Sequence, residues 1–168
     1  MGVDIHMHII SKEGKMKIEN IFDGRDSEWF DNISGGDYHS EFYQNFPVRY
    51  GIPEAAPDSI KKDFDNKDEY CYYDFRYVNV GEFMDWFEET RPDIDAGWIS
   101  TYDKWLYEKK KIVPRDLPHW LDEDCNPYDY HFIEVENPWD CSKWLYEYID
   151  DRKTSIDPND FIVYYFDC

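Results

Sequence analysis

The chain has 168 residues, with 18 Lys and Arg against 38 Asp and Glu and a formal net charge of −20. That length accommodates one domain, 1–168, at about 100 to 200 residues per domain, and the charge excludes direct binding to nucleic acid or an anionic membrane unless a metal or a local basic patch intervenes. Highly charged disordered chains are poor in aromatics, whereas this one carries 7 Trp, 15 Tyr and 11 Phe, so a folded core is expected.

The first residues alternate: Val3, Ile5, Met7 and Ile9 against Asp4, His6 and His8, the period of a half-buried strand. KEGK at 12–15 turns it, and MKIENIF at 16–22 returns as the second arm of a hairpin. From 23 to 57 the chain is rich in Gly, Asp, Asn and Pro, with one short helical piece over 27–33 stopped by Gly35 and Gly36. Residues 56–64 fit a helix with Pro57 in its first turn, and CYYDFRYVN from 71 reads as an aromatic strand. Asn79 caps a helix that puts Phe83, Trp86 and Phe87 on one face and stops at Arg91-Pro92. The next helix starts near Thr101, is expected to bury Tyr102, Trp105 and Leu106, and ends in Lys109, Lys110 and Lys111, which suit the negative end of its dipole. Residues 113–127 form a loop. YDYHFIEVE from 128 is a strand, Asn137 is expected to cap a helix with Trp144, Leu145 and Tyr148 as its apolar stripe, and DPND at 157–160 turns into the last strand, FIVYYFD. Strands and helices do not alternate strictly, which predicts an α+β domain with a largely antiparallel sheet and helices packed on it. The first and last strands are the most apolar and are expected to lie together at the centre of that sheet.

No run is long and apolar enough for a membrane span, and MGVDIHMH lacks the basic and apolar regions of a secretory signal, so a cytoplasmic protein without membrane contact is expected. The cysteines at 71, 125, 141 and 168 form no CxxC pair and are read as reduced. GxxxxGK[ST], GxGxxG and GxSxG are all absent, which removes the usual phosphate-cradling and nucleophile-elbow chemistries.

Both ends of the chain resemble a family of small proteins common in tailed bacteriophages and some bacteria: MGVDIHMHI is similar to that family's MGCDIH start and DFIVYYFDC to its VRIVFWFDN-like finish. Between them, GRDSEWFDNI at 24–33 resembles its RNYxLFxxLA segment, GIPEAAPDSI at 51–60 its GLPxDxS segment, and FRYVNVGEF at 75–83 its HSWLTxxEL segment. Asp4 and His6 carry over residue by residue, whereas Val3 replaces a Cys and Phe75 a His. The resemblance implies a phage-associated context and little about chemistry.

Two constellations compete for a function. Asp4-x-His6-x-His8 projects a carboxylate and two imidazoles from one face of a strand, with neighbours roughly 6.5–7 Å apart. It resembles the DxHxH first strand of amidohydrolase-type metalloenzymes and makes Asp4, His6 and His8 candidate ligands of a divalent metal. Those enzymes are built on barrels of about 250 residues, however, and this chain is shorter. The bland reading is hydrogen bonding along a polar strand face. His39, His119 and His131 stand singly. The second constellation spans 121–151, where Asp122, Glu123, Asp124, Asp129, Glu134, Glu136, Asp140, Glu147, Asp150 and Asp151 face only Lys143, a net of −9. Aromatic residues, Tyr128 and Trp139 among them, are interleaved. Carboxylates on a rigid aromatic base can imitate a phosphate backbone, and the bland reading is a solvated acidic surface. The sequence therefore predicts a non-enzymatic phage-type protein that binds and blocks a basic surface of a host nucleic-acid-handling or defence protein. That function would use Asp122, Glu123, Asp124, Tyr128, Glu134, Glu136, Trp139, Asp140, Glu147, Asp150 and Asp151, with no cofactor. The alternatives are a small metal-dependent hydrolase or nucleotide-binding protein using Asp4, His6 and His8, and an accessory phage protein without catalysis.

Overall fold

A strand that is apolar on both faces must be covered on both, and the last strand of this chain organises the larger part of the molecule for that reason. The computed structural model describes residues 4–26, 29, 30, 33 and 45–167. β1 (Asp4–Ile10) and β2 (Met16–Gly24) form the expected hairpin, whose turn is closed by Ser11 N–H to Lys15 O at 2.8 Å and Gly14 N–H to Ser11 O at 2.9 Å. Gly14 sits at φ +87°, and a Cβ there would strike the Ala55 carbonyl oxygen, so this turn requires glycine.

On its other edge β1 pairs antiparallel with β7 (Phe161–Asp167), from Asp4 opposite Asp167 to Ile10 opposite Phe161. β7 continues to β4 (Tyr72–Asn79) and the two-residue β3 (Arg49–Tyr50), giving the order β2-β1-β7-β4-β3, antiparallel throughout. The first and last strands thus pair at the sheet centre, and Ile162, Val163, Tyr164, Tyr165 and Phe166 are all buried. One face carries Ile5, Met7 and Ile9 beside Phe166, Tyr164 and Ile162. There the Phe30 ring meets Phe166 edge-on at 4.7 Å, and Tyr164 OH donates to Ile33 O at 3.2 Å. The other face carries His6, His8 and Ile10 beside Tyr165, Val163 and Phe161. Its apolar end packs under Ala56 and Ile60, the latter on α1 (Asp58–Asp65).

Helix α1 starts one residue after Pro57, which at φ −66° and ψ 158° is extended and serves as the N-cap residue rather than standing in the expected first turn. The short α2 (Lys67–Tyr70) leads into β4, and α3 (Val80–Thr90) is capped by Asn79 Oδ1, which accepts from Glu82 N–H at 3.3 Å. Phe83, Trp86 and Phe87 are buried as predicted, and Phe87 stacks on Tyr146 at 4.5 Å. The helical piece at 27–33 is seen at Trp29, Phe30 and Ile33. The Gly35-Gly36 stop, His39 and Val3 lie outside the described residues.

Contacts divide the chain into two compact units, 1–90 with 145–168, and 91–144. In the second, β5 (Ile94–Ser100) and β6 (Tyr130–Glu136) form a two-stranded antiparallel sheet joined through α4 (Thr101–Lys110), a loop and a 3-10 turn (Pro127–Asp129). β5 and β3 have no counterpart in the sequence reading. IDAGWIS carries a glycine in mid-strand because Leu117 backbone atoms would lie 2.6 Å from any Cβ at Gly97, and the neighbouring Trp98 N–H donates to Pro118 O at 2.9 Å. Helix α4 has the predicted bounds but not the predicted burial. Tyr102 and Trp105 are exposed and stack on each other at 6.3 Å, whereas Leu106 and Tyr107 of the same helix are half-buried. α5 (Cys141–Asp150) starts four residues after Asn137: Asp140 Oδ1 accepts from Lys143 N–H at 3.0 Å, while Asn137 Oδ1 closes a separate turn onto Trp139 N–H at 3.0 Å. Its Leu145 and Ile149 are buried, but Trp144 is exposed.

The molecule is α+β, with largely antiparallel sheets and helices packed on them. No described helix is long and apolar enough to cross a membrane. One reading of the cysteines is corrected. Cys71 is disulfide-bonded, to a partner outside the described residues, whereas Cys125 and Cys141 are thiols. The pairing of Tyr72 with Asp167 brings Cys71 to the end of the last strand, a proximity that linear spacing hides.

Candidate functional site

Period-2 alternation places Asp4, His6 and His8 on one face of β1, and the sheet supplies different neighbours for each. Asp4 is paired with Arg25, whose guanidinium holds the Asp4 carboxyl below the usual carboxylate range. His6 Nε2 lies 2.8 Å from Asp167 Oδ2 on β7. His8 is 4% exposed and makes both of its ring contacts inside the protein: Asn20 N–H donates to Nδ1 at 3.2 Å, and Nε2 lies 3.3 Å from Tyr165 OH.

The directions of these bonds follow from the donors. Because a backbone N–H occupies Nδ1, the His8 proton sits on Nε2 and is donated to Tyr165. Tyr165 then donates its own proton to Asp63 Oδ2 at 2.8 Å, so a relay runs from Asn20 through His8 and Tyr165 to a carboxylate on α1. Burial, reinforced by nearby His6, pushes the His8 pKa down to about 4, against the smaller opposing pull of Asp63. Burial together with the bond to Asp63 pushes the Tyr165 phenol well up. Both groups are therefore neutral around pH 7.

Irregular backbone makes this relay. β2 bulges between the Met7–Phe22 and Ile9–Ile18 pairs, opposite His8, and Asn20 within the bulge has φ 49°, which turns its N–H onto the imidazole. β4 bulges between Tyr73 and Arg76, with Asp74 at φ 54°. Phe75 stacks on Tyr165 at 4.4 Å, His6 stacks on its ring at 5.2 Å, and Tyr72 meets it edge-on at 5.1 Å. Left-handed non-glycine residues and bulges cost free energy and concentrate at functional sites. A cavity of about 230 Å³ opens here, lined by His6, His8, Glu19, Asp63, Tyr72 and Tyr165, with Met16 and Ile60 as apolar wall.

The structure therefore sets His6 and His8 in one cavity and leaves Asp4 with Arg25. Among the described residues no group of three or more His, Cys, Asp and Glu side chains is arranged to hold a metal ion. Sequence reading missed Asp63, Tyr72, Tyr165 and Asn20. Tyr165 alone carried a signal, as one of two polar-tipped residues, with Tyr164, in the apolar run FIVYYF.

The acidic stretch at 121–151 falls across the two units. Asp122, Glu123, Asp124, Tyr128, Glu134, Glu136, Trp139 and Asp140 belong to the 91–144 unit, and Glu147, Asp150 and Asp151 to the other. All are exposed except Asp140, which is half-buried as the cap of α5. Phe132, Glu134 and Glu136 form the outward row of β6, with Trp98 edge-on to Phe132 at 5.5 Å, while Val135 on β6 and Ile99 on β5 are buried on the opposite face. Glu136 is paired with Lys143. Tyr128 is 89% and Trp139 85% exposed.

No protein-family model, curated protein or solved structure matches this chain.

Proposed function

We propose that the protein acts by binding rather than by catalysis, and that the 91–144 unit presents an acidic, aromatic surface to a host protein with a basic, nucleic-acid-handling face. The observation that supports this most is the exposure, within that one unit, of Asp122, Glu123 and Asp124 beside Tyr128, Trp139 and the outward Phe132-Glu134 row. A surface kept only for solubility needs the carboxylates and not the aromatics, which lose free energy in water unless a partner covers them. Carboxylates steer a basic partner and aromatic rings anchor it. The phage-associated context implied by the chain ends fits such a blocking role inside a host cell, and neither metal nor cofactor enters it.

The test is affinity capture from host extract, with nucleic-acid binding by the captured protein as the readout. The expected result is a basic protein that loses its nucleic-acid binding when complexed and elutes as salt is raised from about 50 to 500 mM, the range over which screening becomes strong. Reversing Asp122, Glu123 and Asp124 to Lys should slow association, and Trp139→Ala should speed dissociation. A complex indifferent to salt and to all four changes would overturn the reading.

A further inference from the structure

The cavity between α1 and the sheet face of β1, β2, β4 and β7 has no part in the binding surface described above, yet two bulges and a buried relay converge on it. Its groups divide into those already committed and those still able to bind. His8 has both ring nitrogens occupied, and Tyr165 OH both accepts and donates. Asp63 accepts one bond from Tyr165, and a carboxylate offers about four acceptor sites. Glu19 reaches the same cavity from exposed β2. What the cavity presents is thus two carboxylates, the ring of Tyr72, and the apolar atoms of Met16 and Ile60, the Tyr165 ring being stacked between Phe75 and His6.

We propose that this cavity is a binding site for a small organic cation, an amine or quaternary ammonium. No Lys or Arg is among its lining residues, and His6 is already paired with Asp167, so the wall holds no further cation to offset Asp63 and Glu19. His8, with its pKa near 4, is uncharged around pH 7 and cannot do so. A cation placed there gains from both carboxylates and from the Tyr72 ring, an attraction that grows as water is excluded. A bare metal ion would instead need several converging ligands, and the described residues offer no such group. At about 230 Å³ the cavity is smaller than the roughly 300–1,000 Å³ of drug-sized sites, which limits the occupant to a compact molecule with a short apolar body. The relay through His8 and Tyr165 holds the Asp63 carboxylate in place; its members are positioning residues.

Titrating the full chain with tetramethylammonium and n-butylammonium, followed by calorimetry and by the NMR signals of the His6, His8 and Tyr72 rings, tests the site. Saturable ammonium binding that shifts those signals is expected, with none for butyrate, the anion of matching shape. Glu19→Gln and Tyr72→Leu, which leave the relay intact, should each weaken binding by about tenfold or more, the scale of one lost charge or ring contact. Asp151→Asn, elsewhere on the surface, should leave it unchanged, which separates a site from general attraction to a chain of charge −20. Absence of saturable binding, equal binding of butyrate, tighter binding of magnesium or zinc, or equal sensitivity to Asp151→Asn would each overturn the proposal.

Discussion

His8 is a titratable side chain held in the state that burial prefers, and its acid behaviour follows. Its pKa lies near 4 in the folded chain against an ordinary 6.5, so the unfolded chain binds the extra proton first as pH falls. Stability should therefore be at its full value above about pH 6.5, decline between 6.5 and 4, and lose up to about 3 kcal/mol from this group. Denaturant unfolding of wild type and His8→Gln at pH 7 and pH 4 checks this. The wild type should lose more on acidification, and an equal loss would show that His8 carries no acid penalty. Cys71 supports a second prediction. Cys71→Ala should lower stability by about 2–4 kcal/mol in non-reducing buffer and have little effect once reductant has opened the bond in the wild type.

At the scale of elements, β7 is the strand on which the larger unit depends, because it pairs on both edges and is buried on both faces. Phe166→Ala, at 0% exposure, should cost about 3–5 kcal/mol, a large part of the ~5–15 kcal/mol a domain of this size has in hand. Removing residues 161–168 should leave β1 and β4 as unpaired edges and abolish the folded state, as read by near-ultraviolet circular dichroism. A truncated chain with native dichroism would refute the central role of β7. α4 shows the opposite case, a helix whose bounds follow from its sequence but whose aromatic residues Tyr102 and Trp105 face water.

Across the whole molecule the dominant fact is charge. A net of −20 repels itself in the compact state, while exposed ion pairs such as Arg49–Glu82 contribute only about 0–1 kcal/mol each. Screening should thus relieve more repulsion than attraction. Raising NaCl from about 10 to 150 mM shortens the Debye length from about 30 to 8 Å and should raise the thermal midpoint by a few degrees, at roughly 2–4 °C per kcal/mol. Calorimetry at the two salt concentrations would show a fall instead if ion pairs outweighed the excess charge.

The sequence alone determined the β1–β2 hairpin, the pairing of first and last strands, the buried face of α3 and the α+β class, because alternation, helical spacing and turn residues are local codes that burial reads directly. It also singled out His6 and His8, since period 2 fixes which side chains share a face. Only the tertiary structure decided what stands opposite them. Tyr165 and Asp63 are 157 and 55 residues from His8 in the chain, and register, together with the bulges at Asn20 and Asp74, brings them together. The same holds for β5, whose Gly97 looks like a strand breaker until the Leu117 backbone is laid against it. Cys71 follows the same rule: its disulfide rests on where β4 begins along β7, and strand register is a property of the assembled sheet.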